Sequence, residues 1–241
     1  MSLIVQKFGG TSVADTKKLF IVTERILEEY NKNSKIVVVV SAQGKLTDTL
    51  IKEELEITKT PVSREHDVLV STGEQITVAK LSMLLQDLGY NAISYLGWQI
   101  PIITNNCFGN ADILNIQTAN IEKKLAEGKI VIVAGFQGIN EKGEITTLGR
   151  GGSDTTAVAL AGFLHADKLY IYTDVDGVYS EDPNINKNAK KYDEISYDKM
   201  LEMANNGAKV LHNKCVQYAK KNNIPIIVKS TFEPGNGTLV H

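Results

Sequence analysis

Residues 36–40 read Ile-Val-Val-Val-Val, and this run does more than any other to indicate the fold class. Side chains that branch at Cβ favour extended backbone. A segment that is apolar at every position is typical of a strand whose two faces are both buried. Such strands occur in parallel sheets covered by helices, so the run predicts a central strand of an α/β protein.

On either side of this run, strand-like segments alternate with segments of helical periodicity. Strands are predicted near residues 3–8, 92–95, 130–134, 168–173 and 226–229, and helices near 19–30, 47–57, 74–88, 154–166, 197–204 and 208–222. Thr47 is predicted to cap its helix and Gly89 to end the next one, while residues 139–147 are predicted to form a hairpin. The alternation predicts a three-layer αβα sandwich around a mainly parallel sheet.

The composition excludes several classes of protein. The 241 residues carry 26 Lys and Arg against 28 Asp and Glu, a net charge of -2, with no basic excess to indicate nucleic-acid binding. The amino terminus lacks the pattern of a signal peptide, and no continuous apolar run approaches the ~20 residues that cross a bilayer. Cys107 and Cys215 match no metal-ligand spacing. We expect a cytoplasmic protein with no membrane segment, nucleic-acid partner or protein-bound metal.

The most informative local stretch is residues 148–156, Leu-Gly-Arg-Gly-Gly-Ser-Asp-Thr-Thr. Its glycines let backbone N–H groups approach a ligand closely, and the helix start that follows offers free N–H donors and a positive dipole end. Arg150 adds a planar donor fork for a carboxylate or phosphate, whereas Asp154 brings a negative charge to the same place. We interpret the stretch as a site for a charged substrate together with a cation.

Other candidate residues follow predicted strands, where open α/β sheets bind ligands. These segments are Lys7 to Ser12, Ser41 to Thr47, Gly135-Phe136 and Thr173 to Tyr179. Taken singly, each has an ordinary structural interpretation: Lys7 as a solvated lysine, residues 173–179 as an acidic turn rather than a calcium loop, and Glu74 and Lys209 as surface helix residues. Complete phosphate-loop, dinucleotide and nucleophile-elbow motifs are all missing from the sequence, so phosphate binding would rest on glycine turns with Lys7 and Lys209.

Taken together, five ordered motifs closely resemble those of the aspartokinases, the aspartate-phosphorylating branch of the amino acid kinase family. They are Lys-Phe-Gly-Gly-Thr-Ser-Val at 7–13, Ser-Thr-Gly-Glu-Gln at 71–75, and the segments 149–156, 173–179 and 207–212. The resemblance runs from Val5 to Val240. It implies a single catalytic domain over 1–241 with the amino acid kinase fold, an acceptor lobe over about 1–150 and a nucleotide lobe over about 151–241.

The resemblance also implies an activity and a set of site residues. The activity is ATP-dependent phosphorylation of the β-carboxylate of L-aspartate, with Mg²⁺ carried by the nucleotide, as the first step towards lysine, threonine and methionine. Lys7, Gly10, Asp154 and Lys209 match catalytic positions, with Asp154 orienting the lysines. Glu74 matches the partner of the substrate ammonium and Arg150 that of its α-carboxylate, with Thr47, Phe136 and Ser153 beside them. Lys7, Gly9, Gly10, Thr173, Asp174, Tyr179 and Lys209 match nucleotide-binding positions.

Two departures from the family pattern bear on these expectations. Asn184 stands where the family usually places an arginine near the nucleotide. The chain stops at His241, whereas aspartokinases usually continue into regulatory domains, so the resemblance implies a catalytic part without them and a homodimer as a possible assembly. Two alternatives stay open: a sibling amino acid kinase with another acceptor, and a non-catalytic relative that binds nucleotides or amino acids.

Overall fold

The fold is described by a computed structural model over residues 1–181, 183, 185–206 and 210–241. Its strands are β1 (Leu3–Phe8), β2 (Lys35–Val40), β3 (Ala92–Tyr95), β4 (Ile102–Thr104), β5 (Ile113–Ile116), β6 (Ile130–Ala134), β7 (Gln137–Ile139), β8 (Ile145–Thr147), β9 (Lys168–Thr173), β10 (Glu194–Ile195), β11 (Ile226–Ser230) and β12 (Thr238–Val240). Its helices are α1 (Thr16–Tyr30), α2 (Leu46–Ile57), α3 (Ser63–Val70), α4 (Thr72–Asp87), α5 (Ala119–Ala126), α6 (Gly152–Phe163), α7 (Tyr197–Asn205) and α8 (Asn213–Asn222).

The central sheet has the strand order β10-β12-β11-β9-β1-β2-β6-β3. Its neighbouring strands are parallel except for the antiparallel pair β11 and β12. The mainly parallel sheet predicted from the alternation of elements is therefore confirmed. In this order, β9, β1, β2 and β6 lie side by side, and their carboxyl ends meet at one edge of the sheet.

The strand at residues 36–40 is buried on both faces, as its sequence predicts. Ile36, Val38 and Val40 pack in one apolar cluster with residues of α1 and α4. Val37 and Val39 pack in a second cluster with residues of α6 and α8. Helices thus cover both faces of the sheet, and the predicted three-layer αβα arrangement is confirmed.

A second sheet, with the order β5-β4-β7-β8, packs against α6 and α3. Its β7–β8 pair is the predicted hairpin, with Gly143 at φ 75° in the turn. Strands β4 and β5 were not predicted, because three or four residues that follow Pro101 or lie among polar residues give too short a pattern. This sheet carries the segments that lead into residues 148–151.

Two sequence predictions about helix starts are wrong. Thr47 lies in the first turn of α2 and does not cap it, because Gly44 at φ 56° turns the chain into a helix whose N-cap position is Lys45. The helix predicted from residue 208 begins at Asn213, and residues 207–209 lie outside the described part of the chain. The predicted helix stop is confirmed, since Gly89 has φ 86° directly after α4.

Candidate active site

Lys7 and Asp154 form an ion pair at the carboxyl edge of the sheet. Lys7 is the penultimate residue of β1, and Asp154 lies in the first turn of α6. The Lys7 Nζ is 2.5 Å from the Asp154 Oδ1, and only 11% and 7% of the two side chains are exposed. The helix N-terminus favours a carboxylate, and the pairing offsets the cost of burying both charges. An ammonium has three donors, so Lys7 can contact an anionic ligand while it stays on Asp154.

The turn after β1 is packed too closely for any side chain at Gly10. A Cβ at Gly10 would lie 2.8 Å from the carbonyl oxygen of Ala42, and the Gly44 N–H donates to the Gly10 carbonyl at 2.9 Å. A Cβ at Gly9 would lie 3.4 Å from the Lys7 Nζ. The glycine pair therefore lets the β1–α1 turn lie directly against the β2–α2 loop, beside the Lys7 ammonium.

Glu74 is a buried carboxylate with unused acceptor capacity. It lies in the first turn of α4, is 3% exposed, and accepts the Ala42 N–H on its Oε1 at 3.0 Å. Its buried Oε2 has no hydrogen-bond partner among the described residues. Burial raises the pKa of Glu74 to about 7, against the lowering effect of the Ala42 hydrogen bond. A cationic ligand would supply the missing partner and favour the ionised form.

We expect the substitution Glu74→Gln to stabilise the ligand-free protein at pH 8. The pKa of Glu74 is about 7 in the folded chain against an ordinary value of 4.5, so its contribution to stability is lost as the pH rises through this range. Gln removes the buried charge, and the free energy of unfolding should rise by about 2–3 kcal/mol at pH 8 and by less at pH 5. Urea titrations at both pH values, with the exposed Glu24→Gln as the matched control, measure the effect. A variant that is no more stable than the parent at pH 8 would contradict the assignment.

The Arg150 loop owes its shape to two glycines. Gly149 and Gly151 have φ values of 73° and 72°, in the left-handed region that favours glycine, and Gly151 is the N-cap of α6. A Cβ at Gly151 would lie 2.4 Å from the Cβ of His212. Between the two glycines, the exposed Arg150 makes no ion pair with any residue that the structure describes. Its guanidinium is therefore available to a ligand carboxylate.

Phe136 adopts a backbone conformation that is unusual for its residue type. Its φ is 70°, which costs energy for a residue with a Cβ. The Phe136 N–H donates to the Thr156 Oγ1 at 3.1 Å, and its carbonyl accepts from the Leu148 N–H at 2.9 Å. At the preceding residue, a Cβ on Gly135 would lie 2.7 Å from the Cβ of Ser153. The turn after β6 is thus fitted tightly to the first turn of α6, which brings Phe136 and Ser153 together.

Besides Lys7, Gly9 and Gly10, the described residues predicted to bind a nucleotide are Thr173, the last residue of β9, and Asp174 and Tyr179, which follow it. The Thr173 Oγ1 donates to the Asp174 Oδ1 at 2.9 Å. The Tyr179 Oη donates to the Asp176 Oδ1 at 2.6 Å, and the Lys191 Nζ is 3.0 Å from the other oxygen of the same carboxylate. Asp176 therefore joins Tyr179 and Lys191 across the turn. Partial burial would raise the pKa of its carboxyl, but the contacts with Tyr179 and Lys191 lower it below its ordinary value.

Two further predicted positions, Lys209 and Asn184, lie outside the described residues. Thr47 is described, and it lies half-buried in the first turn of α2. In the parts of the chain that the structure covers, no group of three His, Cys, Asp or Glu side chains could hold a metal ion. The contacts predicted for Lys209 and Thr47 stay predictions.

Sequence reasoning missed Asp67, which holds the backbone segments next to the Arg150 loop through hydrogen bonds. Asp67 lies on α3 and is fully buried. Its carboxylate accepts the Gly109 N–H at 2.9 Å, the Thr147 N–H at 2.7 Å and the Thr147 hydroxyl at 2.8 Å. In the sequence, Asp67 stands in the polar stretch Ser-Arg-Glu-His-Asp and resembles a surface residue. Since its partners are 42 and 80 positions away, only the fold brings them together.

One helical stretch in the described part of the chain, Ser63–Asp87, is long and apolar enough by length and composition to cross a membrane. Half of its most apolar window is buried inside the protein. The stretch joins α3 and α4 and carries both Asp67 and Glu74. Its apolar character is explained by its packing against the sheet, as in the core helices of globular proteins.

Fold and site together define an α/β protein whose candidate site lies at the carboxyl edge of its parallel strands, where open α/β sheets bind ligands. Residues 2–230 match the amino acid kinase family, and the chain belongs to that family. It is 56% identical over 240 residues to an aspartokinase of Bacillus sp. (strain MGA3), covering 100% of this chain and 58% of that protein. The chain thus spans less than two thirds of the length of the curated relatives it matches.

Solved structures show the same similarity. The aspartate kinase from Synechocystis superposes with a TM-score of 0.86 at 47% identity, over 99% of this chain and 40% of that one. E. coli aspartokinase III in complex with aspartate and ADP superposes with a TM-score of 0.88 at 32% identity, over 99% of this chain and 64% of that one. The amino acid kinase fold expected from the motifs is therefore confirmed.

Proposed function

We propose that this chain phosphorylates the β-carboxylate of L-aspartate with ATP and forms 4-phospho-L-aspartate and ADP. The observation that carries the proposal is Glu74, a buried carboxylate whose Oε2 has no partner among the described residues. An α-ammonium group of a substrate would satisfy that oxygen. The relatives named as aspartokinases, and the E. coli structure that holds aspartate and ADP, support the same choice of substrates.

On the acceptor side, Glu74 and Arg150 would hold the two charged groups at the α-carbon. Glu74 would receive the ammonium, and Arg150 would bind the α-carboxylate through its planar fork. Thr47, Phe136 and Ser153 would complete the surroundings of the substrate. One methylene separates aspartate from glutamate, which pocket size alone distinguishes by only ~1–3 kcal/mol. Glu74 and Arg150 would also hold the α-ammonium and α-carboxylate at a fixed distance from the phosphoryl group. That distance would suit the shorter side chain of aspartate and so add to the preference over glutamate.

On the phosphoryl side, the chemistry needs no general base. The β-carboxylate of aspartate has a pKa near 3.9 and is ionised at neutral pH. One of its oxygens would attack the γ-phosphorus in line, the bond from that phosphorus to the bridging oxygen would break, and ADP would leave with the electron pair. Lys7 and Lys209 would neutralise charge on the γ-phosphoryl group, while Asp154 would orient the lysines. The Gly9–Gly10 turn would allow the phosphates to approach the backbone closely.

Besides Lys7, Gly9 and Gly10, nucleotide binding would draw on residues at the end of β9 and in the turn that follows it. Thr173, Asp174 and Tyr179 would contact ATP, together with Lys209. Mg²⁺ typically binds substrate phosphates and water with one or two protein carboxylates, so it would arrive on the nucleotide without a dedicated protein cage. The proposal also includes action in the cytoplasm, at the first step towards lysine, threonine and methionine, with a homodimer as a possible assembly.

Two other functions are less well supported. A sibling kinase for glutamate, acetylglutamate or a nucleotide monophosphate would share the fold. Glu74 with a free oxygen favours an acceptor that carries an α-ammonium, which acetylglutamate and a nucleotide lack. Glutamate would be disfavoured by the distance from Glu74 and Arg150 to the phosphoryl group. A non-catalytic binding protein would have no use for a buried Lys7–Asp154 pair beside the glycine turn.

The proposed function is tested by an acceptor panel with ATP, in which hydroxylamine traps acyl phosphates as hydroxamates. We expect hydroxamate from aspartate at a kcat/KM at least about 100-fold above that from glutamate or acetylglutamate. Hydroxamate from glutamate or acetylglutamate, or ADP released with a nucleotide monophosphate, which forms no acyl phosphate, would support the sibling kinase. Tight binding of ATP by a folded protein without any product would support the binding protein.

A further inference from the structure

Lys214 reaches from α8 to the segments that hold the Arg150 loop. Its Nζ lies 2.7 Å from the carbonyl oxygen of Ala111 and 3.3 Å from that of Leu148. It also lies 2.9 Å from the Asp112 Oδ1 and 3.3 Å from the Asn110 Oδ1. One ammonium therefore joins a helix of the C-terminal part to the polar loop before β5 and to the residue two places before Arg150.

The oxygens around Lys214 belong to two segments, residues 110–112 and the chain around Leu148, and these two segments also contact each other directly. The Ala111 N–H donates to the Thr147 carbonyl at 2.8 Å. A Cβ at Gly149 would lie 2.8 Å from the Asn110 Oδ1, so the loop before Arg150 lies directly on that side chain. A shift of residues 110–112 would consequently displace Gly149 and change the position from which Arg150 extends.

Asp67 provides the complementary contact to the same segments. Its carboxylate accepts N–H groups from Gly109 and Thr147, whereas the Lys214 ammonium donates to the carbonyls of Ala111 and Leu148. The Asp67 carboxylate is fully buried, and the Lys214 side chain is 27% exposed. Charged groups thus hold both the donors and the acceptors of the backbone that leads into the Arg150 loop.

We propose that Lys214 is a positioning residue that sets the reach of Arg150 towards the α-carboxylate of the acceptor and so contributes to acceptor specificity. The inference rests on the proposed function, since it assigns Arg150 to an α-carboxylate. Lys214 acts through the loop and touches neither substrate. Lys214 is partly exposed, whereas Asp67 is fully buried. The carbonyls of Ala111 and Leu148 that lose its ammonium belong to buried residues, so its removal should also lower stability.

The test compares two acceptors in the variant Lys214→Met. L-Aspartate carries the α-carboxylate, and L-aspartate α-amide keeps the ammonium and β-carboxylate but presents a neutral group to Arg150. We expect kcat/KM for aspartate to fall about tenfold, because a misplaced guanidinium loses part of a charge-assisted contact. The value for the α-amide and the KM for ATP should each change less than about twofold. Lys214→Arg, which keeps the charge and several donors, should recover most of the loss.

Two matched variants separate positioning from general stability. Lys220→Met changes an exposed lysine on the same helix that pairs with Asp198, and it should leave both acceptors unaffected. In an Arg150→Ala background, Lys214→Met should cost less than about twofold further with aspartate, because the group it positions is gone. Equal losses with both acceptors, or an undiminished loss without Arg150, would overturn the inference while the proposed function stands. A parent protein that makes no acyl phosphate from aspartate would overturn both.

Discussion

Replacement of Lys7 by methionine is expected to lower kcat about 1000-fold while the protein still folds. Methionine keeps the length and apolar stem of lysine but removes the ammonium that lies 2.5 Å from Asp154. In the proposed mechanism, that charge is close to the γ-phosphoryl group, and removing one donor to developing charge typically costs 10²- to 10³-fold. Initial rates of hydroxamate formation at saturating ATP and aspartate measure kcat, and far-ultraviolet circular dichroism reports the fold.

The matched control for this prediction is Lys17→Met, which removes an exposed lysine from the first turn of α1. It should leave kcat within about twofold of the parent, as surface substitutions away from special features usually do. The Lys7 variant should also lose some stability, because the Asp154 carboxylate is then buried without its cation. A Lys7→Met protein whose kcat is within about tenfold of the parent would refute the assigned role.

The second large effect is expected from Arg150→Ala, which should raise the KM for aspartate about 100-fold. A guanidinium binds a carboxylate through two charge-assisted hydrogen bonds, and such bonds contribute about 1.5–3 kcal/mol each. Since Arg150 is exposed between two left-handed glycines, its loss should not disturb packing. The KM for ATP should change little. Steady-state kinetics with each substrate varied in turn separate the two constants.

A second arginine provides the control for Arg150→Ala. Arg64 is exposed on α3 and pairs with Glu65 and Glu144, so Arg64→Ala removes the same group from a residue that is assigned to no ligand. Its KM for aspartate should stay within about twofold of the parent. If Arg150→Ala leaves that KM unchanged, or raises the KM for ATP equally, Arg150 does not bind the α-carboxylate.

Local patterns in the sequence were sufficient to predict the main layers of the fold. The run at residues 36–40 predicted a strand buried on both faces, and Gly89 predicted a helix end, because these signals depend on neighbouring residues alone. Strands β4 and β12 were not predicted, since each has only three residues and depends on its partners for its conformation. The cap assigned to Thr47 was wrong because the positive φ of Gly44 starts the helix earlier.

The candidate site was predictable only where its residues lie in contiguous motifs. The segments around Lys7, Glu74 and Arg150 each carry a recognisable pattern of glycines and charges. Asp67 and Lys214 carry none, because their hydrogen-bond partners are between 42 and 104 positions away in the chain. Sequence reasoning therefore found residues assigned to ligands and missed those that hold the loops in place.

The central claim, that the β-carboxylate of aspartate attacks the γ-phosphorus of ATP, is tested most directly by oxygen transfer. Aspartate labelled with ¹⁸O in its β-carboxylate is incubated with ATP, and hydroxylamine then cleaves the product at its carbonyl carbon. The phosphate released keeps the oxygen that joined carbon to phosphorus. We predict one ¹⁸O atom in each phosphate by mass spectrometry, in amounts equal to the ADP formed. Unlabelled phosphate, or no ADP from a folded protein, would contradict the account.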